Sequence, residues 1–167
     1  SAGALLGEVL LEELRKASGK SGAIFFNPSG AVAGLDAVRA ASIAGLDELV
    51  LITTKPAKTL GFQGLKKSEV VFDGSAKEAV KKFPYNLNVA ASVALAGGLG
   101  AKRVKVKIIA DPFASANKHE VFAKGKFGTL RCEVENLPSP TNPRTSLLAA
   151  LSAVSAVKEF AELKPRC

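Results

Sequence analysis

The sequence predicts an α/β fold, in which a mixed sheet is covered by helices in an α+β layer. Stretches with apolar residues at helical spacing alternate with short apolar or alternating runs of strand length. Two such runs, 120–124 and 129–135, flank Gly125 and Gly128, which is typical of paired antiparallel strands. At the N-terminus a helical pattern is followed by a short apolar run of strand length. A helix followed by a strand is half of a βαβ unit, which belongs in a parallel sheet. No strand precedes that helix, so we expect a piece of a longer protein.

The individual elements follow from local signals. Helices are predicted where apolar residues recur at helical spacing, over 5–17, 34–45, 75–83, 89–96 and after the loop 137–143. Strands are predicted from apolar or alternating runs over 23–26, 48–54, 69–72, 104–110, 120–124 and 129–135. Ser75 and Glu78 form a capping box for one helix, and Asn88 is suited to cap the next.

The net charge of +8 makes an anionic partner a first hypothesis. The basic residues are not gathered into one block, however, and in the stretch 102–107 they alternate with apolar residues, as in a strand with one solvated face. No recognition helix, zinc finger or paired-aromatic pattern accompanies them. We therefore expect no nucleic-acid partner, and we assign the charge to a solvated face that also attracts an anionic substrate and cofactor.

Several other classes of protein are disfavoured by the composition. No apolar run approaches the roughly 20 residues that a membrane span requires, and the N-terminus lacks the basic start of a secretory signal. One histidine and two distant cysteines, Cys132 and Cys167, cannot build a metal cluster or a disulfide framework. We expect a soluble protein of a reducing, cytoplasmic compartment, with no metal and no membrane partner.

His119 is the first candidate for chemistry, because it is the only histidine and lies where an irregular stretch gives way to a strand. An imidazole titrates near neutral pH and suits general acid–base catalysis, although a lone histidine is more often structural. The turn 27–31 follows a predicted strand, where ligands of open α/β sheets gather. A plain turn explains its Pro and Gly equally well.

Asn86 and Asn88 lie just before a predicted helix, where a side-chain amide could bond a ligand, but capping alone explains Asn88. The run Gly97-Gly98-Leu99-Gly100 is not a dinucleotide fingerprint, because its glycines end a helix and precede a strand, the reverse of the required order. The sequence has no other Gly-rich phosphate loop.

Five segments together resemble the L-aspartate dehydrogenase family. They are NPSGAVAGLDAVRAA at 27–41, LITTKP at 51–56, FDGSAKEAVKKFPYNLNVAASVALAG at 72–97, VKIIADPFASANKHEVFAKGKFG at 106–128 and ENLPSPTNPRTSLLAALSAV at 135–154. They cover nearly the whole chain in the family's order, and their combination makes chance a poor explanation. One position departs from the pattern, since the family usually has an apolar residue where Asn27 stands.

The resemblance implies a two-domain enzyme. Its N-terminal Rossmann domain carries the G-x-G-x-x-G fingerprint, and its C-terminal domain binds substrate and dimerises. Residues 1–30 would then be a remnant helix and strand of the dinucleotide-binding domain, and residues 31–167 the substrate-binding and dimerisation domain. The implied reaction oxidises L-aspartate with NAD or NADP to iminoaspartate, which is hydrolysed to oxaloacetate and ammonia or diverted toward NAD synthesis. Because the fingerprint is absent, we expect the chain alone to bind cofactor weakly and to be inactive.

The resemblance also implies roles for individual residues. His119 corresponds to the family's acid–base residue, and Ala31 to a cofactor contact. A second cofactor contact falls on an Asn of FPYNLNVA, for which we favour Asn88 over Asn86. A dicarboxylate further requires cationic or hydroxyl donors. The candidates lie at a strand end and at a helix N-terminus, where the helix dipole favours anions: Thr53, Thr54, Lys55, Thr145 and Ser146.

Two other functions fit the same pattern. The chain could be the substrate domain of a related two-domain NAD(P)-dependent reductase, of the dihydrodipicolinate or homoserine type, because fold does not fix function. It could also be a non-catalytic dimerisation module, in which His119 is incidental.

Overall fold

A five-stranded mixed sheet organises the chain in a computed structural model that describes residues 2–83, 88–142 and 145–163. Its order is β2-β3-β1-β4-β5, so the first strand lies in the centre. The bounds are β1 Leu46–Pro56, β2 Glu69–Ser75, β3 Lys105–Asp111, β4 Asn117–Gly125 and β5 Gly128–Asn136. β1 is parallel to β3 and antiparallel to β4. The sheet is therefore mixed, as predicted.

The described chain has five α-helices, three of which pack on one face of the sheet. The bounds are α1 Glu8–Ser21, α2 Leu35–Ala44, α3 Ala76–Lys82, α4 Asn88–Gly97 and α5 Leu147–Leu163, with short 3-10 turns at Ala2–Leu6 and Ala57–Leu60. α4 is the central helix, because it contacts α2, α3, β1 and the N-terminal 3-10 turn. It contains four alanines and ends at Gly97, so its backbone can approach the sheet closely. A Cβ at Gly97 would meet the side chain of Leu49.

Alternation along the strands separates a buried face from a half-exposed one. The buried positions meet α2, α3 and α4 in one apolar cluster, which includes Leu49, Leu51, Val106, Ile108 and Val121. The alternate positions, among them Val50, Ile52, Ile109 and Phe122, are half-buried. A sheet with one face under helices and one face partly open matches the predicted layer arrangement.

Most local signals gave the right element. Glu78 and Ser75 form both halves of the predicted capping box at the start of α3. β4 and β5 pair in register from Asn117↔Asn136 to Gly125↔Gly128, which confirms the predicted hairpin. Four strands extend beyond their predicted bounds, because the ladder hydrogen bonds continue past the residues whose apolarity identified them, and β3 is displaced by one residue from the predicted 104–110.

The strand predicted over 23–26 is wrong. Residues 22–29 have no regular secondary structure, and the side chain of Ile24 is 72% exposed. A strand requires a neighbour to accept its backbone hydrogen bonds. None of the described strands lies beside this segment, so the apolar run has no strand to pair with. Phe26 instead makes an edge-to-face contact with Phe160 of α5, with 5.2 Å between ring centroids.

In the described part of the chain, no helix combines the length and apolarity needed to cross a membrane.

Candidate active site

The buried row of β1 changes from apolar to polar toward its carboxyl end. Leu49 and Leu51 join the core, and Thr53 and Lys55 continue the same row. β4 runs in the opposite direction, and its register places His119 directly across from Thr53. Strand pairing thus concentrates polar groups at one end of the helix-covered face, beyond the apolar core.

A cavity of about 150 Å³ lies at this end of the sheet. Six residues that the sequence singled out line it together: Ala31, Lys55, Asn88, His119, Thr145 and Ser146. They come from a turn, two strands, α4 and the segment before α5, so no short stretch of sequence contains them. The cavity is small beside ordinary cofactor pockets, which measure roughly 300–1,000 Å³, and its size suits one small polar molecule.

His119 is buried, with 4% of its surface exposed. Its Nδ1 lies 3.2 Å from the Thr53 hydroxyl oxygen. Its Nε2 makes no hydrogen bond with the described residues and is not fully enclosed by protein. This nitrogen therefore reaches the cavity that His119 lines. Burial, and secondarily the charge of Lys55, lower the pKa of His119 from 6.5 to about 4. The ring is therefore neutral at physiological pH and is able to accept a proton.

Lys55 is a buried cation with no counterion among the described residues. Only 8% of the residue is exposed, and its amine makes no hydrogen bond or ion pair within the described ranges. Burial lowers the pKa of the Lys55 amine, because the charged form loses hydration. An unpaired ammonium group in a cavity is destabilising until an anion meets it, which makes Lys55 a natural anion ligand.

The N-terminus of α5 adds a second feature that favours anions. The Ser146 hydroxyl accepts a hydrogen bond from the backbone N–H of Ala149 at 3.2 Å, so Ser146 caps the helix. Thr145 is exposed, and its hydroxyl oxygen accepts from the Asn142 side chain at 3.3 Å. Both residues still line the cavity, so capping and ligand contact are compatible.

The turn that carries Ala31 is held from two sides. Gly30 has a φ of 69°, a left-handed conformation that glycine adopts without strain, and its N–H donates to the Ser152 hydroxyl at 3.0 Å. The buried Asn136 amide donates to the Ala31 carbonyl at 3.0 Å. The turn is thereby tied to α5 and to the end of β5, which fixes one wall of the cavity.

Asn88 begins the described part of α4 and lines the cavity. Its side-chain oxygen accepts from the Gly3 backbone N–H at 3.2 Å instead of bonding the helix's own amides, so the predicted cap is not observed. Asn86, the alternative cofactor contact, falls in the segment 84–87, outside the described residues.

Thr53 and Thr54 do not join the cavity wall. Thr53 is fully buried behind the imidazole of His119. Thr54 belongs to the half-exposed row, because successive side chains of a strand point to opposite faces. The structure thus separates Thr54 from the other candidate donors and gives Thr53 the histidine as its neighbour.

Sequence analysis missed three polar residues of the cavity, Ser29, Ser92 and Asn117. Each had a usable signal. Asn117 lies two residues before His119 on the same strand, and Ser92 lies one helical turn after Asn88. Ser29 belongs to the turn that already contained Ala31.

A metal centre has no support among the described residues, where no three His, Cys, Asp or Glu side chains gather closely enough to hold an ion. Cys132 is a free thiol on β5. The chemistry of the cavity therefore consists of one neutral imidazole, one ammonium group, hydroxyls and amides.

Comparison with known proteins agrees with this arrangement. The family described as aspartate dehydrogenase, C-terminal, matches residues 36–160. The chain belongs to the aspartate dehydrogenase family. It is 45% identical to the L-aspartate dehydrogenase of Methanosarcina barkeri over 171 residues and 43% identical to that of Methanocaldococcus jannaschii. The crystal structure of aspartate dehydrogenase from Thermotoga maritima superposes with a TM-score of 0.80 at 33% identity.

These relatives are longer than the chain. The alignments cover 96% and 97% of this chain but 63% of each archaeal enzyme, and the superposition covers 100% of this chain and 65% of the Thermotoga protein.

The buried neutral histidine predicts acid sensitivity. In the unfolded chain His119 takes up a proton near pH 6.5, whereas in the folded protein it does so only near pH 4. The unfolded state binds more protons between these values, so stability falls as the pH drops through that window, by about 2 kcal/mol at pH 5. Urea unfolding of wild type and His119→Asn at pH 7 and pH 5 measures this loss. The variant should lack it, and equal losses in the two proteins would contradict the assignment.

Proposed function

We propose that this chain is the substrate-binding part of an NAD(P)-dependent L-aspartate dehydrogenase. The observation that carries the proposal is that a neutral imidazole and a buried ammonium group, His119 and Lys55, border the same small cavity, and that the described part of the chain gives the ammonium group no partner. The first is equipped to move a proton, and the second to hold a carboxylate.

Lys55 would bind a carboxylate of the substrate. The Nζ group has no competing partner within the described ranges, so an entering carboxylate would relieve an uncompensated buried charge. The N-terminus of α5, with Ser146 and Thr145, offers hydroxyl groups and a favourable dipole for a second carboxylate. Two anion-binding groups on one small cavity suit a dicarboxylate better than a monocarboxylate.

His119 would move protons at the reacting carbon. The α-amine of aspartate must lose a proton before hydride can leave the adjacent carbon. Nε2 is the ring nitrogen that faces the cavity, and it accepts this proton in the ring form that leaves Nε2 unprotonated. An oxidised nicotinamide, when bound, takes up that hydride. Water must then add to the resulting imine. After the ring has released its first proton to solvent, the same imidazole can remove a proton from the attacking water.

Ala31 and Asn88, with Asn86 as the alternative, would contact the nicotinamide end of NAD or NADP. The fit is partial, because the cavity of about 150 Å³ is far too small for a whole dinucleotide and the sequence has no Gly-rich phosphate loop. The residues present suit the reacting end alone. This supports the expectation that the chain by itself binds the cofactor weakly and turns over little substrate.

Two alternatives differ in what they require of Lys55 and His119. A dihydrodipicolinate- or homoserine-type reductase would use the same fold with another substrate. A non-catalytic module would need neither residue in the cavity. The names of the relatives favour aspartate, and the convergence of both groups on one cavity disfavours the module.

Turnover is best tested in a chimera that supplies the part these residues do not span. We would replace the matching region of the Methanosarcina barkeri enzyme with this chain and follow NAD(P)⁺ reduction. L-Aspartate should be oxidised, and homoserine should not. His119→Asn should lower kcat by roughly 10²- to 10⁴-fold, the usual effect of losing a positioned proton-transfer group. Near-normal turnover by a folded variant would rule out the catalytic role.

Binding of the dicarboxylate can be tested on the chain itself. The single histidine gives one set of imidazole resonances, which report occupancy of the cavity during titration with L-aspartate. Lys55→Met should weaken binding at least about tenfold, because a charge-assisted hydrogen bond is lost. Lys126→Met, in the exposed turn between β4 and β5, is the matched control and should bind normally. Identical affinities in the two variants would remove Lys55 from the proposed site.

We also propose that the chain forms a homodimer through the open face of its sheet. Val50, Ile52, Ile109 and Phe122 are half-buried apolar side chains on this face. Charged residues alternate with them, and they form ion pairs such as Lys118–Glu120 at 3.3 Å and Lys105–Glu48 at 3.0 Å. An open sheet face that carries apolar side chains between charged ones of both signs is able to pack against a second copy of itself.

Sedimentation at tens of micromolar should therefore give a dimer. Ile52→Lys should give a monomer, because it places a charge in the middle of the buried surface. Val9→Lys, on an exposed position of α1, should leave the dimer intact. A monomeric wild type would refute this surface.

A further inference from the structure

Thr53 is a fully buried polar residue that the proposed function does not use. It is 0% exposed and lies in the same row of β1 as Leu49 and Leu51. Valine has the same shape as threonine and would fill this position without burying a hydroxyl. A buried hydroxyl is costly unless it makes a hydrogen bond, and among the described residues its one partner is Nδ1 of His119, at 3.2 Å.

The direction of that hydrogen bond follows from the surroundings. In the neutral ring one nitrogen carries the proton and the other accepts. If the hydroxyl donates to Nδ1, its hydrogen is satisfied and the ring proton lies on Nε2. If Nδ1–H donates instead, the hydroxyl hydrogen points into the core, where the described structure gives it no second acceptor. The first arrangement leaves no buried donor unsatisfied.

We propose that Thr53 is a positioning residue for His119: its hydroxyl donates to Nδ1, directs Nε2 into the cavity, and keeps the resting ring proton on Nε2. The ring therefore offers an N–H to the cavity in the absence of substrate. A carboxylate held by Lys55 would find a second donor there.

A threonine at position 53 also permits the second tautomer, in which the proton lies on Nδ1. The relevance of this second tautomer rests on the proposed function, in which Nε2 accepts a proton. A hydroxyl accepts as well as donates, so rotation about its C–O bond lets Nδ1–H donate to Oγ1 while the ring stays in place. The exchange requires one proton to leave Nε2 and one to reach Nδ1, and Nδ1 meets water only when the ring turns briefly toward the cavity. The Nε2 lone pair is then exposed with no net change in protonation. A carboxylate at position 53 would instead hold the proton on Nδ1 permanently.

The tautomer can be measured directly, because the chain contains a single histidine. In ¹⁵N-labelled protein at pH 7, long-range ¹H–¹⁵N correlations distinguish a protonated ring nitrogen from an unprotonated one. We expect one dominant form in the wild type, with Nε2 protonated and Nδ1 unprotonated. Thr53→Val should give a mixture of the two tautomers, and Thr53→Ser should restore the wild-type pattern. Thr54→Val, on the same strand but the opposite face, should change nothing.

Either of two results would overturn the proposal. One is a wild-type ring protonated on Nδ1, a measurement that needs no variant to fold. The other is a wild-type pattern in Thr53→Val, which would reduce Thr53 to a packing residue. Neither result depends on turnover, so an inactive chimera leaves this inference standing, and an active one does not establish it.

Discussion

The central strand β1 is the element on which the fold and the candidate site both depend. It pairs with β3 on one side and β4 on the other, and its buried row faces the helices. The register of a strand fixes all of its side chains together, because a shift of one residue would move every side chain to the opposite face of the sheet. Burying Leu49 and Leu51 therefore also buries Thr53 and Lys55. Burial of the apolar half of the strand therefore holds the polar half in a buried position, which would be energetically unfavourable for the polar residues alone.

That coupling accounts for the electrostatics of the cavity. Lys55 and His119 are both removed from water by the elements that bury the core, and burial is the main cause of the lowered pKa of each. The charge on Lys55 depresses the pKa of the imidazole further. In the proposed function, a carboxylate that meets Lys55 would offset this charge and make the imidazole a better proton acceptor. Substrate binding and proton transfer would thus be linked through the same two side chains.

The walls of the cavity are fixed by long-range contacts. The Ala31 turn is tied by Asn136 and Ser152, which are more than a hundred residues away in sequence. Asn136 has its other side-chain atom, Oδ1, buried without a partner in the described structure. A buried amide with an unsatisfied oxygen lowers the stability of the fold. We infer that Asn136 is retained because its amide nitrogen holds the Ala31 turn.

Local chemistry was sufficient to predict much of this protein. The capping box of α3, the β4–β5 hairpin and the helical spacing of α2 and α5 each depend on neighbours in sequence, and each was predicted correctly. The chemical character of His119 and Lys55 was also visible from the sequence and the family resemblance. The cavity that unites them was not visible, because it is assembled from five separate segments.

The tertiary structure decided which segments pair as strands and which side chains come into contact. The strand predicted over 23–26 does not form, because an apolar run becomes a strand only beside another strand and the described chain provides none there. Thr53, Thr54 and Lys55 are consecutive in sequence and indistinguishable as donors, yet alternation places Thr54 on the opposite face and strand register places Thr53 against the imidazole. The sequence determined which residues are able to do chemistry, since that depends on the side chain alone. Which of them meet depends on hydrogen-bonded register and burial, which are properties of the whole fold.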